Sequence, residues 1–196
     1  MDEVRIGSGA GFAGDRIEPA VDLVREGALD DLVLECLAER TIALAQQRRR
    51  SDPSTGYDGR AEQWFRALLP VALDRGTRIV SNLGAANPLG AGRLAIDIAH
   101  ELGLSCRVAV VTGDDVLDAL DLSSPCLENG RPLDARGPVV SANAYLGADT
   151  IIPALATGAD VVLTGRVADP SLFLAPLADR LGWDLSDPAS AAHGTL

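Results

Sequence analysis

The fold is decided by the stretch RIVSNLGAANPLGAGRLAIDIAHELG (78–103), which joins a short apolar strand to an amphipathic helix through a polar, Gly-rich loop. The strand pattern covers 78–82, and apolar residues at three- and four-residue spacing predict a helix over 91–103. The helical pattern ends in Gly, which commonly closes a helix. A strand that leads into a returning helix is the repeating unit of a parallel sheet.

The same alternation recurs along the chain. The other Val- and Ile-rich runs that predict strands are VRIG (4–7), LVL (32–34), RVAVV (107–111), PVVSAN (138–143) and DVVLT (160–164). The other helical patterns that end in Gly are DRIEPAVDLVREG (15–27) and RAEQWFRALLPVALDRG (60–76). We expect a loop over QRRRSDPSTGYDGR (47–60), where Pro, Ser, Gly and charges cluster.

These patterns predict a single α/β domain over 1–196, with a mostly parallel sheet and helices on both of its faces. Six βα units would also make up most of a βα barrel. The order of the strands distinguishes the open sheet from the barrel.

Composition narrows the class of protein. Of the 196 residues, 47% are apolar but only 4% are aromatic, which suits the aliphatic core of a helix-covered parallel sheet. The net charge of −11 would repel a nucleic-acid backbone, so we expect no nucleic-acid partner. Cys36, Cys106 and Cys126 show no CxxC or Cys/His spacing, so neither a disulfide framework nor a zinc site is indicated. Since no membrane-length apolar run and no export signal are present, we expect a cytoplasmic protein without membrane contact.

The loops that follow parallel strands share the carboxyl edge of the sheet, and a ligand site is expected there. The first loop has GxGxxG spacing, and Glu35 lies 21 residues after Gly14, as the ribose-binding acid of a nicotinamide-binding fold would. Asp15 argues against a pyrophosphate, and with Glu18 it resembles a capping arrangement. A smaller anion on backbone N–H groups beside Arg16 is the intermediate interpretation. The ligand-binding candidates in this loop are Gly9, Gly11, Phe12, Gly14 and Arg16.

Two acids follow the second strand. Glu35 and Glu39 are one helical turn apart and would share a face, where they could hold a divalent metal or divide acid and base roles. Acids in a first helical turn also stabilise the helix dipole, which accounts for Glu39. Glu35 is the better candidate because it directly follows the strand, at the carboxyl edge of the sheet.

Several polar residues in the later loops have the sequence context of helix caps. Asn87 precedes Pro88, Asp169 precedes a proline, and either Asp114 or Asp115 can cap the helical pattern VLDAL. A helix cap needs only one of these two acids, so either Asp114 or Asp115 remains available for a functional role.

Asn82 and Arg166 have no such structural explanation. Arg166 follows Gly165 at the end of the last predicted strand, and a guanidinium suits bidentate recognition of carboxylate or phosphate. The chain has only His100 and His193, with no nucleophile motif, so neither a Ser/His/acid triad nor a histidine zinc site is indicated.

The loop motifs occur together in a fixed order over nearly the whole chain. They are RIGSGAGFAGDR (5–16), DDLVLECLAERTIALAQ (30–46), DPSTGYDGR (52–60), NLGAANP (82–88), VAVVTGDD (108–115), SANAYLGAD (141–149) and GADVVLTGRVADPSL (158–172), followed by GW (182–183). This set resembles the acyclic terpene utilisation family, of the AtuA type.

The resemblance implies an acyl-CoA or a branched carboxylic acid as substrate, with lyase or hydratase action on a branched 3-hydroxyacyl thioester. The catalytic candidates are Glu35, Asp114, Asp169 and Tyr145. They would act near the thioester carbonyl as a base, an acid or a ligand of a divalent metal. Asn82 or Asn143 would stabilise an enolate oxygen, and Arg166 would bind a CoA phosphate or a substrate carboxylate. The ligand-binding candidates in the later loops are therefore Asn82, Asn87, Asn143, Gly165 and Arg166.

Members of this family extend beyond HGTL (193–196), so we expect the chain to be the N-terminal part of a longer architecture. The segment DPSLFLAPLADRLGW (169–183) is apolar over a wide arc, which predicts a homo-oligomer or a separate chain that supplies the remaining part. Two other functions stay open: a non-catalytic subunit that binds a small anion or a partner, and a nicotinamide-dependent oxidoreductase.

Overall fold

A computed structural model describes residues 3–195 of the chain. Its strands form one parallel sheet in the order β1-β2-β3-β5-β4. The strands are β1 (Ile6–Ala10), β2 (Asp31–Leu34), β3 (Arg78–Ser81), β4 (Val108–Val111) and β5 (Val161–Thr164). The sheet is open, with β1 and β4 at its edges, so the predicted α/β class with a parallel sheet is confirmed and the barrel alternative is wrong.

Helices cover both faces of this sheet. They are α1 (Glu18–Glu26), α2 (Glu39–Ser51), α3 (Ala61–Arg75), α4 (Pro88–Glu101), α5 (Ile152–Leu155), α6 (Ser171–Leu181) and α7 (Pro188–Thr195). None of the helices in the described residues is long and apolar enough to cross a membrane.

Alternate residues of the central strands point to opposite helical layers, as the pleat requires. Leu32 and Ile79 pack with the fully buried Trp64 of α3 on the layer formed by α1, α3 and α4. The next residues along the two strands, Val33 and Val80, belong to the core on the side of α5 and α6. The sheet is therefore enclosed on both faces, which is why β2 and β5 carry runs of consecutive apolar residues, at 32–34 and 161–163, instead of alternating ones.

Two predicted segments differ from the structure. The segment 138–143 is not a strand, because Pro138 has no N–H to donate and Val140 is 46% exposed, with only an isolated bridge between Asn143 and Asp115. The loop expected over 47–60 begins later, because α2 continues to Ser51. The sheet thus has five strands in residues 3–195 instead of six.

The apolar arc of α6 is covered inside the chain. Leu172 and Leu174 are buried, and Phe173 is partly buried in the same core. Both α5 and α7 contact α6. The wide apolar arc is therefore no argument for a second copy or a separate chain.

A buried carboxylate ties α6 to the amino edge of the sheet. Asp31, at the start of β2, has a fully buried side chain and accepts hydrogen bonds from Arg78 Nε at 2.6 Å and from Arg180 Nε at 2.5 Å. Arg78 also reaches Asp179 of α6 at 3.3 Å. Since two guanidinium groups converge on one acid, removing that acid leaves both without their main partner.

Replacing Asp31 by Asn should lower the free energy of unfolding by about 3 kcal/mol, because the converging arginines lose a buried countercharge. Urea unfolding followed by circular dichroism measures the loss. The matched control is Asp22→Asn on the exposed face of α1, where the carboxylate lies 3.5 Å from Arg25. The control should change stability by less than about 1 kcal/mol. Equal losses in the two variants would contradict the proposed importance of the buried ion network.

Candidate functional site

The carboxyl edge of the sheet carries a buried acid with fixed partners. Asp114 follows β4 and is 4% exposed. Its Oδ2 accepts hydrogen bonds from the backbone N–H of Arg166 at 2.8 Å and from Asn143 Nδ2 at 2.9 Å. Gln46 of α2 lies 3.5 Å from Asn143 Oδ1, so the amide that orients the acid is itself oriented. Oδ1 accepts no hydrogen bond from another residue in the described part of the chain.

Gly165 leaves the space that this carboxylate fills. A Cβ at position 165 would lie 2.5 Å from Asp114 Oδ1, a distance that real Cβ contacts do not show. Gly165 follows β5 and Asp114 follows β4, and these strands are neighbours in the sheet. The missing side chain after one strand therefore makes room for the acid after the next.

Burial is the main influence on the ionisation of Asp114. It raises the pKa of the carboxyl above its usual range, because the charged form loses its hydration. The hydrogen bonds from Arg166 N–H and Asn143 lower this pKa, and the neighbouring charge of Asp115 raises it slightly further. An acid with a raised pKa, and with one oxygen that takes no hydrogen bond from another residue in 3–195, is suited to proton transfer.

Arg166 is enclosed by the protein and is only 2% exposed. Its Nη1 donates to the carbonyl of Leu37, its Nε donates to the carbonyl of Val167 at 3.0 Å, and its Nη2 donates to Asp169. The guanidinium thus joins the loops after β2 and β5. Asp169 pairs with Arg166 and does not cap α6, so its predicted role as a cap is wrong.

Tyr145 lies on the outer side of this arginine. Its ring stacks on the guanidinium of Arg166 at 4.5 Å, and its hydroxyl donates to Glu39 at the start of α2. That hydrogen bond raises the pKa of Tyr145 and lowers the pKa of Glu39. The phenol proton is therefore held by a carboxylate.

Glu35 and Asn82 form a separate cluster after β2 and β3. Glu35 accepts from Asn82 Nδ2 and from Leu37 N–H, both at 2.9 Å, and Asn82 accepts from Cys36 N–H at 2.7 Å. Because α2 begins only at Glu39, Glu35 does not share a helix face with it as predicted. Burial raises the pKa of the Cys36 thiol, in keeping with an inert core cysteine. Within residues 3–195, no group of three or more His, Cys, Asp and Glu could hold a metal ion.

The Gly-rich first loop holds a carboxylate of its own. Asp15 Oδ2 accepts from the backbone N–H groups of Gly11 at 2.7 Å and Phe12 at 3.3 Å. The expected capping arrangement is wrong, since Ile17 precedes α1 and no side chain caps it. Asp15 therefore occupies two of the N–H donors that a pyrophosphate would need.

The other candidates in this loop are held locally. Gly9 lies within β1, where its Cβ would meet Leu34, and Gly14 lies against the ring of Phe12, which is 60% exposed. Arg16 pairs with Glu18 in solvent. Since β1 and β4 are four strand spacings apart, roughly 19 Å, this loop does not join Asp114 in one compact site. Of the residues expected to form a ligand site along the carboxyl edge, Asp114, Asn143 and Arg166 thus lie together, and the first loop lies apart from them.

A cleft of about 230 Å³ opens beside Asp114. Asn143 and Asp115 line it together with Asn87, which caps α4 as predicted by accepting from Gly90 N–H at 3.0 Å. Asp115 accepts a longer bond of 3.4 Å from Leu117 N–H, so it is the member of the acidic pair with a local role.

Arg49 also lines this cleft, and sequence reasoning missed it. It lies in the last turn of α2, inside the segment expected to be a loop. The only sequence signal was the run of three arginines (48–50), which also fits a helix C-terminus.

The fold and this edge define an α/β protein with a candidate acid/base site where the loops of β4 and β5 meet. Over residues 4–196 the chain matches the family described as acyclic terpene utilisation family protein AtuA. The chain belongs to that family. Neither the curated proteins nor the solved structures give a significant match.

Substitution of Gly165 by Ala should lower the free energy of unfolding by about 1–3 kcal/mol, because the new methyl group would collide with the carboxylate of Asp114. Gly59→Ala is the matched control, since a Cβ there meets no atom within 4 Å. Thermal unfolding of both variants measures the difference. If Gly165→Ala is as stable as Gly59→Ala, the close approach of Asp114 is not a constraint.

We expect NAD and NADP to bind no more tightly than millimolar, because Asp15 holds the N–H groups of Gly11 and Phe12 and would repel a pyrophosphate. Isothermal titration calorimetry measures this directly. A micromolar dissociation constant would revive the nicotinamide interpretation of the glycine motif.

Proposed function

We propose that the chain is a cytoplasmic enzyme, or the N-terminal part of one, that transfers a proton on a branched acyl thioester or carboxylic acid, with Asp114 as the general base. The observation that carries this proposal is the buried carboxyl of Asp114, held through one oxygen and placed in the wall of a cleft. Membership of the AtuA family supports the substrate class.

The two reaction types that the family suggests need the same base. In a dehydration, Asp114 Oδ1 would take the proton from C2, and the electron pair of that bond would form the C2–C3 double bond as the C3–O bond breaks. The leaving 3-hydroxyl would take the same proton back from Asp114 and depart as water. In a carbon–carbon cleavage, it would take the proton of the 3-hydroxyl group, and the electrons of the broken bond would pass to the thioester as an enolate. Either reaction places negative charge on the carbonyl oxygen.

The start of α4 is the element best placed to stabilise that charge. Pro88 and Leu89, in the first turn of this 14-residue helix, line the cleft with Asp114. The helix dipole puts a partial positive charge at this end. Pro88 has no N–H and Gly90 N–H donates to Asn87, so the first-turn donor that remains for an oxyanion is Leu89 N–H. Asn82 is engaged by Cys36 and Glu35 in the separate cluster, so the enolate role that the family resemblance suggested for it passes to the helix start.

The other candidates support Asp114 in this proposal. Asn143 and the backbone of Arg166 hold the carboxylate in one orientation, since both donate to Oδ2. Arg166, with Asp169 and Tyr145, connects the base to the loop after β2. In this proposal the reaction depends on one ionisable group, the carboxyl of Asp114, which is held in a fixed orientation.

Asp114→Asn should abolish turnover of a branched 3-hydroxyacyl-CoA while leaving the melting temperature at pH 7 unchanged or higher. The folded-state pKa of Asp114 is raised, so the ionised carboxylate destabilises the fold above that pKa, and this penalty disappears as the pH falls. The neutral amide removes the penalty and keeps the shape. Mass spectrometry of the products, which separates loss of water from cleavage, and thermal unfolding provide the two measurements.

The pH dependence gives a second test of the same base. Activity should fall as the pH decreases through a pKa above the usual aspartate range, because only the ionised carboxylate accepts a proton. Asp118→Asn, which changes an exposed acid in the same segment after β4, is the control and should leave the profile unchanged. If Asp114→Asn retains wild-type turnover, Asp114 is not the base. If the wild-type chain binds such thioesters without converting them, it is a binding subunit.

A further inference from the structure

Arg49 is held in one direction by its surroundings. Its Nη1 donates to the carbonyl of Ala86 at 2.6 Å. Its aliphatic stem passes so close to Gly56 that a Cβ there would lie 2.7 Å from Arg49 Cβ. Gly56 has a φ of +103°, which glycine adopts without strain. A long side chain fixed at both its stem and its head loses little entropy when a ligand binds.

The rest of the guanidinium is available to a ligand. Within residues 3–195, Nε and Nη2 of Arg49 donate to no acceptor. The nearest carboxylate is that of Asp115, at 3.6 Å, and both side chains are about half exposed, at 42% and 51%. An exposed pair at this distance is weak. Asp115 is therefore a loose internal countercharge that a better-placed oxyanion can replace.

We propose that the cleft binds its substrate through a free oxyanion, which Arg49 takes in a bidentate contact while Asp115 is displaced. This inference rests on the proposed function, because it gives the substrate of Asp114 a second, charged group. The cleft of about 230 Å³ suits a short acid better than a large ligand, which commonly occupies 300 Å³ or more. The oxyanion is a carboxylate on the acyl part or a phosphate on its carrier.

This assignment moves the anion-binding role from Arg166 to Arg49. Three directions of the Arg166 fork are filled by Leu37, Val167 and Asp169, and the side chain is buried. Arg49 lines the cleft that contains Asp114, with two of its nitrogens unoccupied by protein acceptors in the described residues. Arg166 therefore stabilises the loops at the carboxyl edge, and Arg49 contacts the ligand.

NMR titration of the full chain with 3-methylglutarate, isovalerate, isovaleramide, inorganic phosphate and CoA tests the proposal. Arg49→Gln should weaken binding of the carboxylates by about tenfold to a hundredfold, as the loss of charge-assisted hydrogen bonds implies, without affecting the neutral amide. Arg49→Lys should recover part of the affinity, because the charge remains without the fork. Asp115→Asn should tighten binding severalfold, since it removes the competing countercharge.

Arg93→Gln, which removes the same charge from an exposed position of α4, is the matched control and should leave every titration unchanged. Melting temperatures show whether each variant is folded. If Arg49→Gln does not fold, the Arg49→Lys and Asp115→Asn variants still test the proposal. If phosphate and CoA bind but the carboxylates do not, and this binding depends on Arg49, the result would support the oxyanion site and assign it to the phosphate of the carrier. Equal binding of isovalerate and isovaleramide, or no effect of Arg49→Gln on any anion, would overturn the proposal.

The Asp114→Asn variant separates this inference from the proposed function. It should still bind the carboxylates, at least as tightly as the wild type, because it removes a negative charge from the cleft. Loss of turnover with retained binding in Asp114→Asn supports both proposals. Binding that depends on Arg49, with turnover that does not depend on Asp114, overturns the base and leaves the anion site standing.

Discussion

The carboxyl edge of the sheet depends on the buried guanidinium of Arg166. Its contacts with Leu37 and Asp169, together with the bond from its own N–H to Asp114, join the loops that follow β2, β5 and β4. Burying a charge is costly unless its hydrogen bonds are satisfied, and here carbonyls and a carboxylate satisfy them. The insertion of β5 between β3 and β4 makes this junction possible, because it places Arg166 beside the end of β4.

The loops that contain Asp15 and Asp114 both hold a carboxylate with backbone N–H donors, but with opposite results. Asp15 is held by Gly11 and Phe12 in the exposed first loop, so the protein itself fills that anion position. Asp114 is held by the backbone N–H of Arg166 and the side-chain amide of Asn143 and is almost completely buried, and its other oxygen takes no hydrogen bond from another described residue. The loop whose glycine spacing most resembles a ligand-binding motif is thus the one whose anion position the protein itself already fills.

Local sequence patterns predicted the elements well and the contacts between loops poorly. Helix-ending glycines such as Gly27 and Gly76, and the cap at Asn87, depend on neighbours within a few residues, so the sequence displays them directly. The pairing of Asp114 with Arg166 joins loops that are distant in sequence, and it exists only because β5 lies next to β4. Arg49 was missed for a related reason, since it falls in the segment 47–60 that the sequence predicts as a loop, and no local pattern indicates the cleft that it lines.

The chain between β4 and α5 leaves the body of the protein as a long excursion that is closed at its base. Val116 N–H donates to the backbone carbonyl of Ala142 at 3.0 Å, and Ala144 N–H donates to the backbone carbonyl of Asp114 at 2.7 Å, so the two ends lie side by side. The excursion carries its own turn, and Leu127 near its tip is fully exposed. Because the base is closed independently, residues can be inserted or deleted at the tip while the geometry around Asp114 is retained. This tip is accordingly the natural place to graft an epitope, a reporter peptide or a second domain onto the scaffold.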